Sequence, residues 1–159
     1  NYLLGFGFKV NHDKTYHDYP AYTGSYSRSL ESVKKDLQET SSDIIIDLHR
    51  DAIGSKSNYD PSVKIGDDVA SQLMFVIGTT GGGYHPNWQN NLRFAIKVQE
   101  IANEMYPGLF KPMIVRNSRY NQHLGKAAVI IEVGSTGNTL EQSLTSMKYL
   151  AKVFEKIKN

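Results

Sequence analysis

The sequence predicts an α/β fold in which a mostly parallel central sheet carries helices on both faces. Three observations lead there. Two apolar runs, Ile44–Leu48 (interrupted only by Asp47) and Val129–Val133 (interrupted only by Glu132), have strand length and no strict alternation, as in strands buried on both faces. Other segments carry apolar residues at helical spacing. Strand-like and helix-like segments then alternate along the chain, the pattern of a sheet built through helical crossovers. With 159 residues and 40% hydrophobic content, the chain has enough apolar material for one core, so residues 1–159 read as a single domain.

Taken in order, Phe6 to Val10 reads as a short strand, followed by a polar, Tyr-rich loop from Asn11 to Ser25. Leu30, Val33 and Leu37 place a helix from about Ser27 to Glu39, with Ser27 as its cap. Ile44–Leu48 is a central strand. Ala52 to Asp68 reads as a loop, because Gly54, Ser55, Ser57, Asn58, Pro61 and Gly66 all break regular structure. Leu73 to Ile77 is another strand. The glycine cluster Thr79–Gly83 lacks the Gly-Lys-Ser/Thr ending of a P-loop, so it reads as a mobile loop beside a site. A helix follows Pro86-Asn87, with Leu92, Ala95, Ile96, Ala102 and Met105 as its inner stripe, and Tyr106-Pro107-Gly108 stops it. Met113–Val115 and Ala127–Val133 are strands. Thr139-Leu140-Glu141-Gln142 is a capping box opening a last helix, with Leu140, Leu144, Met147, Ala151 and Phe154 facing inward.

Composition narrows the function classes. The formal net charge is +2 and no Lys/Arg cluster forms a stripe, so nucleic acid is not an expected partner. No apolar run is long enough to span a bilayer. The chain has no cysteine, which excludes disulfides and thiolate metal sites, so any metal must be held by His, Asp or Glu.

The chemistry concentrates where the two apolar runs end. A buried strand delivers its last residues to the carboxyl edge of the sheet, where ligands bind. The first run ends in Asp47-Leu48-His49-Arg50-Asp51. His49 either caps the strand or serves a site as metal ligand or proton carrier. Asp47 and Asp51 can orient its ring, and Arg50 can take a substrate carboxylate in a two-pronged grip. Glu132 sits inside the second run. A carboxylate there is costly unless paired, metal-bound or protonated. It is either half of a buried ion pair, with Arg28 or Arg119, or a general base. Gly134, Ser135, Gly137 and Asn138 would form a tight loop beside it. His12, His17, His85 and His123 are weaker candidates, since none has the two-histidine spacing of a helix-borne zinc motif. Ser27 and Ser29 lack a nucleophile elbow.

Five segments occur together in order: Tyr26-Ser27-Arg28-Ser29, Asp47-Leu48-His49-Arg50-Asp51, His85-Pro86-Asn87-Trp88, Arg119-Tyr120-Asn121-Gln122-His123-Leu124 and Ile131-Glu132-Val133-Gly134-Ser135. With them the chain resembles the stage II sporulation protein P family, cell-wall hydrolases of endospore-forming bacteria within the zinc-dependent N-acetylmuramoyl-L-alanine amidases. The resemblance implies a zinc amidase sandwich and cleavage of the amide between N-acetylmuramic acid and L-alanine of the stem peptide. It assigns His49 as a metal ligand for Zn2+ and Glu132 as the catalytic carboxylate. Arg28, Arg50, Asn121 and His123 are then candidate substrate contacts. It also implies a membrane-anchored, extracytoplasmic protein acting on peptidoglycan at the sporulation septum during engulfment, in a complex with stage II sporulation proteins D and M. The family's first metal histidine and metal glutamate lie in an early segment that nothing here matches. The expectation is therefore an amidase domain truncated at its N-terminus, without its first strand, which holds one of three protein ligands and binds zinc weakly; His17 and His123 are the candidate substitutes, a weaker expectation. A zinc endopeptidase acting within the stem peptide, and an inactive glycan-binding fragment, are the competing expectations.

Overall fold

The two apolar runs lie side by side in one sheet, but Ile45–Asp51 is its edge strand, not the central buried strand expected: none of its residues is buried and Leu48 is exposed, because only one neighbouring strand covers it. The computed structural model describes residues 2–42, 44–52 and 58–158. Asp43, at the start of the first run, and residues 53–57 of the expected loop lie outside the described residues. In chain order the elements are α1 (Tyr2–Gly5), α2 (Ser25–Glu39), β1 (Ile45–Asp51), β2 (Ser62–Ile65), β3 (Asp68–Ser71), β4 (Leu73–Gly78), α3 (Trp88–Met105), β5 (Ile114–Arg116), β6 (Ala128–Ser135) and α4 (Leu140–Lys158). Four strands form a sheet in the order β1-β6-β4-β5, and β2 and β3 pair as a separate hairpin.

The sheet is mixed, so the expectation of a mostly parallel sheet holds in part. β1 pairs with β6 in parallel and β4 with β5 in parallel, but β4 runs antiparallel to β6. The reason lies in the segment expected to be loop. It contains β2, which joins β3 through Gly66-Asp67 as a tight antiparallel hairpin. A hairpin, not a crossover helix, thus connects β1 to β4. The chain enters β4 from the carboxyl end of β1 and must run back the other way.

α3 and α4 cover one face. There Phe75, Ile77, Val129 and Ile131 meet Ala95, Val98 and Ala102 of α3 and Leu150, Val153 and Phe154 of α4. Phe75 stacks on Phe110 with ring centroids 4.8 Å apart. Removing this apolar surface from water, at roughly 25 cal/mol per Å2, drives the assembly. The opposite face holds a smaller cluster of Met74, Val76 and Ile130, with Ile114 and Tyr120 packed against it. Helices on both faces is therefore only part of the picture: α2 has no buried residue, and its first turn reaches this second face through Tyr26.

Some boundaries shift for local reasons. Phe6–Val10 is not a strand. Lys158 Nζ donates to the Phe6 and Gly7 carbonyls, and Phe8 packs edge-on against Phe154. α2 starts at Ser25 with Gly24 at its cap position, so Ser27 lies in the first turn rather than capping it. Three stripe residues are exposed: Ile96 on α3, and Leu140 and Leu144 on α4. The buried faces are Asn91, Ala95, Val98 and Ala102 on α3, and Ser146, Tyr149, Leu150, Ala151, Val153 and Phe154 on α4. At about 100° per residue, Ile96 points roughly 130° away from the buried face of α3. The capping box forms as expected: Thr139 N–H donates to Gln142 Oε1 at 2.9 Å, and Gln142 N–H to Thr139 Oγ1 at 3.1 Å.

Candidate active site on the open face of the sheet

Parallel register brings the two strand-end groups together. Ile45 lies opposite Ala128, and the ladder continues until His49 lies opposite Glu132. Paired strands are about 4.8 Å apart, so the imidazole and the carboxylate leave neighbouring backbones on the same face. The two-residue period puts Asp47 on that face too, and its Oδ1 lies 2.9 Å from His49 Nε2. Beyond His49 the register slips, and Asp51 lies opposite Ser135. On its other side Glu132 is paired with Met74.

Glu132 is one of the groups that the fold leaves unsatisfied, with His85, His123 and Gln99. Among the described residues its buried Oε2 has no hydrogen-bond partner. Neither arginine suggested as its counterion takes it. Arg28 donates Nε to the His17 carbonyl at 2.6 Å and further N–H groups to the Ala21 and Thr23 carbonyls. Arg119 donates to the Tyr84 carbonyl at 3.4 Å. Burial pushes the Glu132 carboxyl pKa up, His49 opposes that, and Asp51 and Asp47 add to it. The His49 pKa is raised, first by its hydrogen bond to Asp47. Tyr26 shares this environment: burial raises its phenol, and the negative charges of Asp47 and Glu132 raise it further.

The loop after β6 is as tight as its composition suggests. Gly134 has φ +63°, and a Cβ there would lie 2.5 Å from Asn138 Oδ1, so only glycine fits. Asn138 Oδ1 accepts from Ser135 N–H at 2.8 Å, and Asn138 Nδ2 donates to the Pro61 carbonyl at 3.2 Å. Ser135 Oγ donates to the Tyr59 carbonyl. These bonds tie the strand end to the segment before β2. Lys111 closes the same corner, 3.5 Å from Asp51 Oδ2 and 5.4 Å above the Tyr59 ring.

Among the described residues, none of the four candidate substrate contacts bonds to Glu132. Arg28 is held by the loop carbonyls just described. Arg50 is exposed, with one N–H donated to the Asn138 carbonyl at 3.2 Å. Asn121 Nδ2 binds the Tyr26 carbonyl at 2.7 Å and Ser29 Oγ at 3.1 Å, fixing the start of α2. His123 lies against His85, with ring centroids 6.3 Å apart. Both are kept below the usual imidazole range, mainly by burial, with Arg119 contributing to each.

Sequence reasoning missed the polar staple under this second motif. Gln122 is buried, accepts Gly78 N–H at 2.8 Å and donates to the Val76 carbonyl at 2.9 Å. Asn91, also buried, donates to the Gln122 carbonyl at 2.8 Å and accepts Ala128 N–H at 3.0 Å. The available signal was an asparagine on the inner face of an otherwise apolar helix, a position that demands partners. The glycine loop, expected to be mobile, packs on the same segment as a 3-10 turn, Thr80–Gly82. A Cβ on Gly82 would lie 2.7 Å from Arg119 N.

A three-ligand zinc site does not fit the described residues. Among them no group of three or more His, Asp or Glu side chains is placed to hold a metal ion. His49 Nε2 already faces Asp47. The substitutes do not join it: His17 Nε2 is 2.8 Å from Ser32 Oγ, and His123 is with His85.

The fold and this site define an α/β protein with a mixed sheet. It presents an imidazole and an unpaired, half-buried carboxylate at adjacent strand ends, an arrangement suited to proton transfer. Comparison with known proteins makes the assignment particular. The chain belongs to the stage II sporulation protein P family, whose family model matches residues 1–155. It is 28% identical over 142 residues to stage II sporulation protein P of Bacillus subtilis (strain 168), covering 86% of this chain and 34% of that protein. The chain thus spans about a third of the length of that relative. Family membership implies a role in sporulation.

Proposed function

We propose that this chain is the carboxylate-bearing part of a peptidoglycan hydrolase that cleaves the amide between N-acetylmuramic acid and L-alanine of the stem peptide. One observation carries the reading. Glu132 is held opposite His49 by strand register, with one oxygen buried and unpartnered. A structural carboxylate would be expected to have a counterion or hydrogen-bond donor there. A working one needs a free oxygen to take a proton from an attacking water and to return it to the leaving amine. Asp47 fixes the His49 ring through a 2.9 Å contact, which leaves Nδ1 as the nitrogen available to a ligand.

Zinc is the proposed cofactor of the whole protein, with His49 as one ligand and the other ligands not among the described residues. When bound, it would supply Lewis acidity toward the scissile carbonyl. The proposed setting is extracytoplasmic and membrane-anchored, in the septal wall remodelled during engulfment, with stage II sporulation proteins D and M as partners. Family membership and the sporulation role support that setting.

The test is Glu132→Gln in the full-length protein, assayed on purified peptidoglycan with metal content measured in parallel. Loss of muropeptide release by at least a hundredfold with metal retained is the expected result. Loss of metal together with activity would make Glu132 a ligand, and unchanged release would remove it from the mechanism. Mass spectrometry of the wild-type digest identifies the bond: free muramic acid ends support the amidase, and new peptide ends support an endopeptidase.

A further inference from the structure

A second polar cluster on this face is not used by the chemistry at Glu132, and it contains an arginine. Arg119 is partly buried, yet among the described residues its guanidinium makes one hydrogen bond, to the Tyr84 carbonyl at 3.4 Å. Its guanidinium has five N–H donors. Among the described residues it has no carboxylate partner. It lines a cavity of about 340 Å3 with Tyr26, Ser27, Gly82, Ser118 and Tyr120. Gly82 packs so closely on the Arg119 backbone that the wall has no room for a side chain.

The position of this cavity relative to Glu132 follows from strand register. Glu132 is paired with Met74 near the start of β4. The segment bearing Arg119 packs on Gly78, at the end of β4, where a Cβ would meet the Ser118 carbonyl at 2.2 Å. Four residues of strand separate the two, roughly 13 Å at about 3.3 Å per residue. Tyr26 and Tyr120, with ring centroids 5.6 Å apart, lie between them. Tyr120 packs on Met74, Val76 and Ile130, and Tyr26 senses the charges of Asp47 and Glu132. One face therefore offers a carboxylate at one end, an aromatic wall in the middle and, at the other end, a guanidinium with no carboxylate partner among the described residues. The histidines nearest Arg119 are held neutral, so they do not compete with it for an anion at neutral pH.

We propose that Arg119 anchors the carboxylate of a short acidic peptide, whose backbone lies along Tyr26 and Tyr120 with its other end at Glu132. A planar guanidinium grips a carboxylate through two parallel hydrogen bonds, and an extended peptide of about four residues covers the distance. This deepens the hydrolase reading, because it assigns Glu132 the end where the bond is cut, but it is tested by binding rather than by turnover.

The probes are the tetrapeptide Ala-Gly-Gly-Glu, its form with both carboxylates amidated, and inorganic phosphate. Each is titrated into this chain, labelled so that the arginine Nε–H signals are resolved, with affinities measured by calorimetry. The free acid should shift the Arg119 signal and bind at least tenfold tighter than the amidated form. Arg119→Met should abolish that preference and Arg119→Lys should keep part of it, with thermal unfolding confirming that both variants fold. Glu132→Gln should leave the preference intact, so a failed hydrolysis test and a failed binding test remain separate results. Equal affinity for acid and amide, or a preference that survives Arg119→Met, overturns the proposal. A saturable response to phosphate with none to the peptide also overturns it, since the site would then serve a phosphate.

Discussion

Gln122→Leu tests whether the staple beneath Arg119 and Tyr120 holds the site together. Gln122 is 3% exposed and makes two hydrogen bonds to β4, at 2.8 Å to Gly78 N–H and 2.9 Å to the Val76 carbonyl. Leucine has similar volume but neither polar atom. Losing the Val76 bond costs about 1 kcal/mol, and leaving the Gly78 N–H buried without a partner costs about 1–3 kcal/mol more. The sum, about 2–4 kcal/mol, is a large share of the roughly 5–15 kcal/mol that holds a domain folded. For a chain of this size it corresponds to a fall in Tm of about 4–16 °C. Urea unfolding followed by circular dichroism should show a lower midpoint with an unchanged slope. The Arg119 signal should also move, because the turn that follows it is held by the same side chain. A stability loss below about 1 kcal/mol would refute the reasoning, since it would mean that the two groups on β4 find other partners.

Two further outcomes concern stability. Gly134→Ala forces a left-handed backbone on a residue with a Cβ and drives that Cβ to 2.5 Å from Asn138 Oδ1. It should destabilise by about 2–4 kcal/mol in urea unfolding, and a cost within about 0.5 kcal/mol would show that the loop relaxes freely. His85 and His123 both have folded pKa values below the ordinary one, chiefly through burial. As pH falls through about 6.5 the unfolded chain takes up protons first, so stability is full above that value and declines toward the folded pKa values. His85→Gln should make the decline between pH 7 and 5.5 shallower, and parallel curves for variant and wild type would sink the idea.

How much of this was legible beforehand depends on the range of the interaction. β4, β6, α3, α4 and the capping box at Thr139 could be read from spacing, because apolar period and cap chemistry act within a few residues. The hairpin strand β2 could not, since Pro61, Gly66 and the polar residues around them look the same in a loop and in a tight hairpin. Helix phase was misread at Ile96, Leu140 and Leu144 because each is apolar, and only packing decides which apolar residues face the core. The same limit applied to Glu132. Its local sequence marked it as costly, but two arginines were equally available as counterions, and only the fold shows that neither bonds to it.

The sequence by itself determined that two apolar runs lead to a histidine and a glutamate, because an apolar run broken by a charge is a local fact. Tertiary structure alone decided that these groups are neighbours. A parallel pairing one residue out of register would have turned one of them to the other face of the sheet. It also decided the direction of β4, and with it the placing of Arg119 about four strand residues from Glu132 along one open face. Those are relations between segments far apart in the chain, fixed by which surfaces are removed from water together, and no local pattern encodes them.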